Sequence, residues 1–81
     1  MSRDEVVVKV NDFLIDEFEL EETQLTPQAF MKEDLDIESL DFVDIAVIIE
    51  RDFGLKVTSE QMIKIRKLED LYNFILEHSK N

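Results

Sequence analysis

The chain has no cysteine, and glycine and proline occur once each in its 81 residues. Without cysteine, neither a disulfide nor a thiolate zinc site can staple a small fold. One glycine cannot build a phosphate-cradling glycine loop. So few turn residues argue against a many-turned β-fold and for helices. Basic residues are also scarce: nine Lys and Arg stand against twenty Asp and Glu, a formal charge of -11. Such a chain is repelled by nucleic-acid phosphates and anionic membrane surfaces, and basic protein surfaces attract it. The longest apolar run, Ile45-Ala46-Val47-Ile48-Ile49, is far too short to span a bilayer. Nor does the start of the chain, which turns acidic at Asp4 and Glu5, carry the apolar run of a secretory signal. The cytoplasm is the default expectation.

What is present is a 44% apolar fraction, enough for a globular core. The length fits a single domain over residues 1–81. Four helices are expected. The first opens at Ser2 with Glu5 three residues on, a capping-box spacing. Val7, Val10, Leu14 and Phe18 follow at helical steps, widened by Val6 and Phe13. Residues 19–37 hold no sustained period. Thr26-Pro27 predicts a single helical turn over 27–30, and Leu20, Leu25, Phe30 or Met31, Leu35 and Ile37 should pin this long loop to the core. The second helix runs from Ser39 to Phe53, and Gly54 follows where a left-handed cap is wanted. A short third helix starts behind Thr58, with Gln61 completing a capping box. The fourth covers Leu68 to His78 and opens poorly, because Arg66 and Lys67 oppose the helix dipole. Glu69 and Asp70 offset this in part. The fold class is therefore all-α, a small four-helix bundle with a long first connection and a short helix 3.

The second helix carries two apolar stripes. Phe42, Ile45, Ala46, Ile49 and Phe53 form an ordinary core-facing stripe. Leu40, Val43 and Val47 form another, ringed by Asp41, Asp44 and Glu50. In so small a bundle a second stripe rimmed by carboxylates is a candidate partner surface; alternatively, Val43 and Val47 lie at the core's edge. Ser39 at the helix start has two readings as well. It is a plain N-cap, or an oxygen carrying an anionic group where a helix N-terminus favours one.

Few residues are equipped for catalysis. The single histidine, His78, lies near the chain end, so this chain is not expected to be an enzyme. Asp34, Asp36 and Glu38 take positions 1, 3 and 5 of a would-be calcium loop. Ser39 stands where glycine is needed and Ile45 where glutamate is, so no metal site is expected.

The run Glu33-Asp34-Leu35-Asp36-Ile37-Glu38-Ser39-Leu40-Asp41, with Val43-Asp44 and the Glu50-Arg51-Asp52-Phe53-Gly54 end, resembles the acyl carrier protein family. The family pattern reads E-D-L-G-x-D-S-L-D-x-V-E and then closes a helix in E-E-x-F. Val57-Thr58-Ser59-Glu60-Gln61-Met62 and the Ile65, Leu68, Asp70, Tyr72 spacing extend the resemblance over residues 5–78. It implies the acyl-carrier type of bundle. It also implies a 4′-phosphopantetheine, covalent and derived from coenzyme A, attached at Ser39 and carrying acyl intermediates as thioesters to fatty-acid or polyketide-type enzymes. An aminoacyl or peptidyl carrier of the same fold is the alternative, and an unmodified acidic helical interaction module is the alternative of another class.

By the same resemblance, Leu40, Asp41, Val43, Asp44 and Val47, with Glu38 and Glu50 beside them, meet a phosphopantetheinyl transferase and acyl-processing enzymes. Ile49, Met62 and Ile65 would wall an acyl cleft. A monomer is implied. Three departures mark a specialised member: Glu38 for the usual Asp, Asp36 for the usual Gly, and Arg51 where an acid is common. Ile48 and Ile63, apolar at positions expected to be partly wet, point the same way.

Overall fold

The computed structural model describes residues 2–79. Helix α1 spans Arg3–Phe18 and begins as its capping box requires: Ser2 Oγ accepts from Glu5 N at 3.2 Å, and Glu5 Oε1 accepts from Ser2 N at 3.2 Å. These bonds from the Ser2 backbone and hydroxyl hold the Glu5 carboxyl below its ordinary pKa. Helix α2 spans Ser39–Phe53, α3 Ser59–Lys64 and α4 Leu68–His78. Gly54 caps α2 at φ 69, a left-handed conformation that glycine enters without a Cβ clash. The Thr58 box opens α3, with Thr58 Oγ1 accepting from Gln61 N at 3.2 Å.

The weak start of α4 is rescued by one side chain. Asp70 Oδ2 accepts from both Arg66 N (3.1 Å) and Lys67 N (3.0 Å). A carboxylate there satisfies two orphan donors and answers the dipole that the preceding cations oppose.

One apolar cluster joins all four helices and the long connection. Val6, Val10, Phe13 and Leu14 come from α1, and Leu68, Leu71, Tyr72 and Ile75 from α4. The Tyr72 hydroxyl donates to Asn11 Oδ1 across these two helices. Burial of the ring raises its pKa, because the charged phenolate is the form that burial disfavours. Each fully buried aliphatic side chain contributes about 1.5–3 kcal/mol relative to exposure. The radius of gyration is 11.4 Å.

The connection after α1 is ordered by backbone bonds. A short 3₁₀ helix occupies Glu22–Gln24. The helical turn expected over 27–30 is instead a β-turn over 26–29, closed by Ala29 N donating to Thr26 O at 3.1 Å. Pro27 sets the turn, but its carbonyl accepts from Glu69 N (3.0 Å), Ala29 O accepts from Leu68 N (2.9 Å), and Met31 N donates to Arg66 O (2.9 Å). Pairing with the α3–α4 junction takes the groups a helix would have used. Of the two candidates Phe30 and Met31, Met31 is buried and Phe30 is exposed; Leu25, Leu35 and Ile37 are also buried.

Candidate functional site

The approach to α2 is fixed by two aspartates. Asp34 Oδ2 accepts from Phe30 N at 2.8 Å and closes a tight turn. Asp36 adopts φ 57, turning the chain so that Ile37 N donates to Met31 O at 2.9 Å. The N-cap of α2 is Glu38, not Ser39, and the Glu38 side chain makes no cap bond. The cap comes from inside the helix, where Asp41 Oδ2 accepts from Glu38 N at 3.0 Å. Ser39, first residue of the helix proper, is exposed. Its hydroxyl is not needed by the backbone, which removes the plain N-cap reading. The N–H groups of Ser39 and Leu40 find no acceptor among the described residues, since the first bonds of the helix run from Asp41 and Phe42 to Glu38 O.

Beyond Ser39 the two stripes of α2 separate. Ile45 and Ile49 are fully buried, while Leu40, Val43 and Val47 are 80%, 61% and 62% exposed. The second stripe is therefore a surface and not the core's edge. Asp44, Glu38 and Glu50 are exposed beside it, and Asp41 is half-buried by its capping bond. Ile48 corrects the expectation of a partly wet position: it is 4% exposed and belongs to the core, whereas Ile63 is 74% exposed.

Ser39 stands on the lining of an open groove of about 950 Å³. Phe42, Val43, Ala46 and Val47 of α2 line it, with Met62 of α3 and with Phe30, Val57 and Ile65 from the connections. Met62 and Ile65 thus sit where a cleft was expected. Ile49 does not, being enclosed in the core and absent from the lining. Phe30 and Val57 were not anticipated as groove residues. They lie in connections without a period, and only the pairing of 30 with 67 brings the first to this side. His78 stacks on Phe74 with ring centroids 4.2 Å apart and takes no part in the groove. Among the described residues no group of His, Asp and Glu is arranged to hold a metal ion.

A family model described as the phosphopantetheine attachment site matches residues 9–75. The acyl carrier protein of Rubrobacter xylanophilus is 32% identical over 78 residues, covering 96% of this chain and 96% of that protein. That of Petrotoga mobilis is 32% identical over 77 residues, covering 95% and 91%. The chain belongs to the acyl carrier protein family. A solved acyl carrier protein from Enterococcus faecalis superposes with a TM-score of 0.82 at 29% identity, over 98% of this chain and 100% of that one. The function is the family's: acyl groups are carried as thioesters on a covalently bound 4′-phosphopantetheine and meet acyl-processing enzymes there.

The carrier's own residues fit that group. A phosphodiester needs an accessible oxygen and partners for its charge. The helix start offers an exposed hydroxyl, two free N–H groups and the positive end of a 15-residue dipole. A flexible arm needs an adjoining apolar shelter, and the groove begins at the same serine. No helix among the described residues is long and apolar enough to cross a membrane.

Proposed function

We propose that Ser39 is the attachment point, and that the carrier delivers fatty-acyl or polyketide-type intermediates by docking through the exposed face of α2. One observation carries this: the Ser39 hydroxyl is solvent-exposed and free of any hydrogen bond among the described residues, at a helix start whose cap is supplied by Asp41. When attached, the group supplies a terminal thiol that holds the acyl cargo. Ser39 Oγ would anchor it, and the free N–H groups of Ser39 and Leu40 would be available to its phosphate. Met62, Ile65 and Val47 shelter the apolar cargo from water. Leu40, Val43 and Val47 give partners an apolar centre, and Asp44 and Glu50 give the rim that steers basic surfaces.

The chain itself is not an enzyme in this reading. Among the described residues no base bonds to the Ser39 hydroxyl, so it keeps ordinary weak nucleophilicity and a separate transferase activates it. The chain acts as a monomeric single domain in the cytoplasm.

The test is mass spectrometry after incubation with coenzyme A, magnesium and a broad-range phosphopantetheinyl transferase. Wild type gains one phosphopantetheine mass and Ser39→Ala gains none. A wild type left unmodified by several transferases would instead favour an acidic interaction module.

A further inference from the structure

The carrier's few cations are unevenly employed. Of nine Lys and Arg, Lys80 lies outside the described residues. Arg3 donates to Asn73 and lies over the Tyr72 ring; Lys9 lies over Phe53; Arg51 pairs with Asp52; Lys67 donates to Gln28 and lies over Phe30. Lys32, Lys56, Lys64 and Arg66 have no side-chain partner among the described residues. Three of these four, Lys32, Lys56 and Arg66, line the groove beside Ser39. They come from three separate connections, before α2, between α2 and α3, and between α3 and α4. Two carboxylates, Glu33 and Glu50, also reach the lining, so the groove keeps a positive surplus on a molecule of charge -11.

An acyl chain ending in methyl would use the apolar floor and leave these cations idle. We propose that the groove favours acyl cargo bearing a carboxylate at its far end, with the chain on Met62 and Ile65 and the carboxylate met by Lys32, Lys56 and Arg66. The proposal rests on Ser39 as the tether. Lys32, Lys56 and Arg66 are exposed, so bringing a free carboxylate to these unpaired cations is modestly favourable and weakens with salt.

The experiment loads the protein through the transferase with eight-carbon chains from coenzyme A, one ending in methyl and one in carboxylate. Thioester cleavage by hydroxylamine and the methyl NMR signals of Met62 and Val47 are followed. The carboxylate-ended cargo is cleaved about fivefold more slowly, the scale of one partly exposed ion pair. It also shifts the Met62 signal further, and the contrast shrinks in about 1 M salt. Lys32→Gln, Lys56→Gln and Arg66→Gln together abolish the contrast while the melting temperature holds. Equal protection of both cargoes overturns the proposal. So does an equal effect of the triple variant on both, which would assign the cations to the phosphate of the arm. Failure of either cargo to load, with Ser39→Ala indistinguishable from wild type, overturns the tether reading as well and so separates the two.

Discussion

At the scale of single residues, Glu19 and Asp36 both hold a left-handed backbone, and Asp36 does so on the approach to the site. Its φ of 57 is a conformation that costs an ordinary L residue about 1–2 kcal/mol, less for Asp, whose short polar side chain tolerates it. Asp36→Gly therefore leaves stability within about 0.5 kcal/mol, relief of strain offsetting the added freedom of the unfolded chain. Asp36→Val, β-branched at a positive φ, lowers it by about 1–2 kcal/mol. Urea unfolding midpoints of the three proteins check this; a Val variant as stable as the Gly variant would mean the turn relaxes freely. The position shows how legibility varies among residues. Ser2, Thr58 and Gly54 announced their caps because cap chemistry is local. An aspartate only weakly favours a left-handed backbone, and the family's glycine at this point was the stronger hint. Asp34, whose carboxylate closes the turn on Phe30, was equally silent, since its partner depends on how the loop folds back.

At the scale of elements, α2 does two jobs with one set of acids. Asp41 caps the helix through Glu38 N, whereas Asp44 is exposed on the face proposed to meet partners. Reversing each to lysine should separate the roles. Asp41→Lys loses the cap and sets a positive charge at the positive end of the dipole, costing about 1 kcal/mol, and it also weakens transferase binding. Asp44→Lys weakens binding with little change in the melting temperature. Thermal melts beside binding titrations decide it, and identical melting temperatures for both would deny Asp41 its capping role. The helix's two stripes were readable because a 3.6-residue period separates faces cleanly. The burial of Ile48 was not, since the periodic reading gave the helix one core stripe. The long connection adds Leu25, Met31, Leu35 and Ile37 to the same core, so α2 is enclosed over a wider arc. Phe42 and Ala46, drawn into the core stripe, are half-buried and turn to the groove. A groove lined jointly by α2, α3 and aperiodic connections has no sequence signature of its own.

At the scale of the whole molecule, a charge of -11 is held within 31 × 25 × 20 Å. The Debye length at about 0.1 M salt is roughly 10 Å, close to the 11.4 Å radius of gyration. At about 0.01 M it lengthens to roughly 30 Å, so at low ionic strength carboxylates on opposite faces repel one another, and among the described residues only Arg51–Asp52 forms an ion pair to relieve them. That repulsion opposes folding, because the expanded chain separates the same charges. The proposed partner face needs the opposite condition, since attraction of its acids to a basic surface would weaken with salt. One variable should therefore move the two properties in contrary directions. Raising sodium chloride from about 0.02 M to about 0.5 M stabilises the fold by about 1 kcal/mol, which for a domain of this size lifts the melting temperature by roughly 4–8 °C. Over the same range the transferase associates more slowly. Calorimetric melts and stopped-flow association at matched salt concentrations test the pair together. A melting temperature that stays flat while association slows would show that the acids are spaced widely enough not to burden the fold, and that their density serves recognition alone.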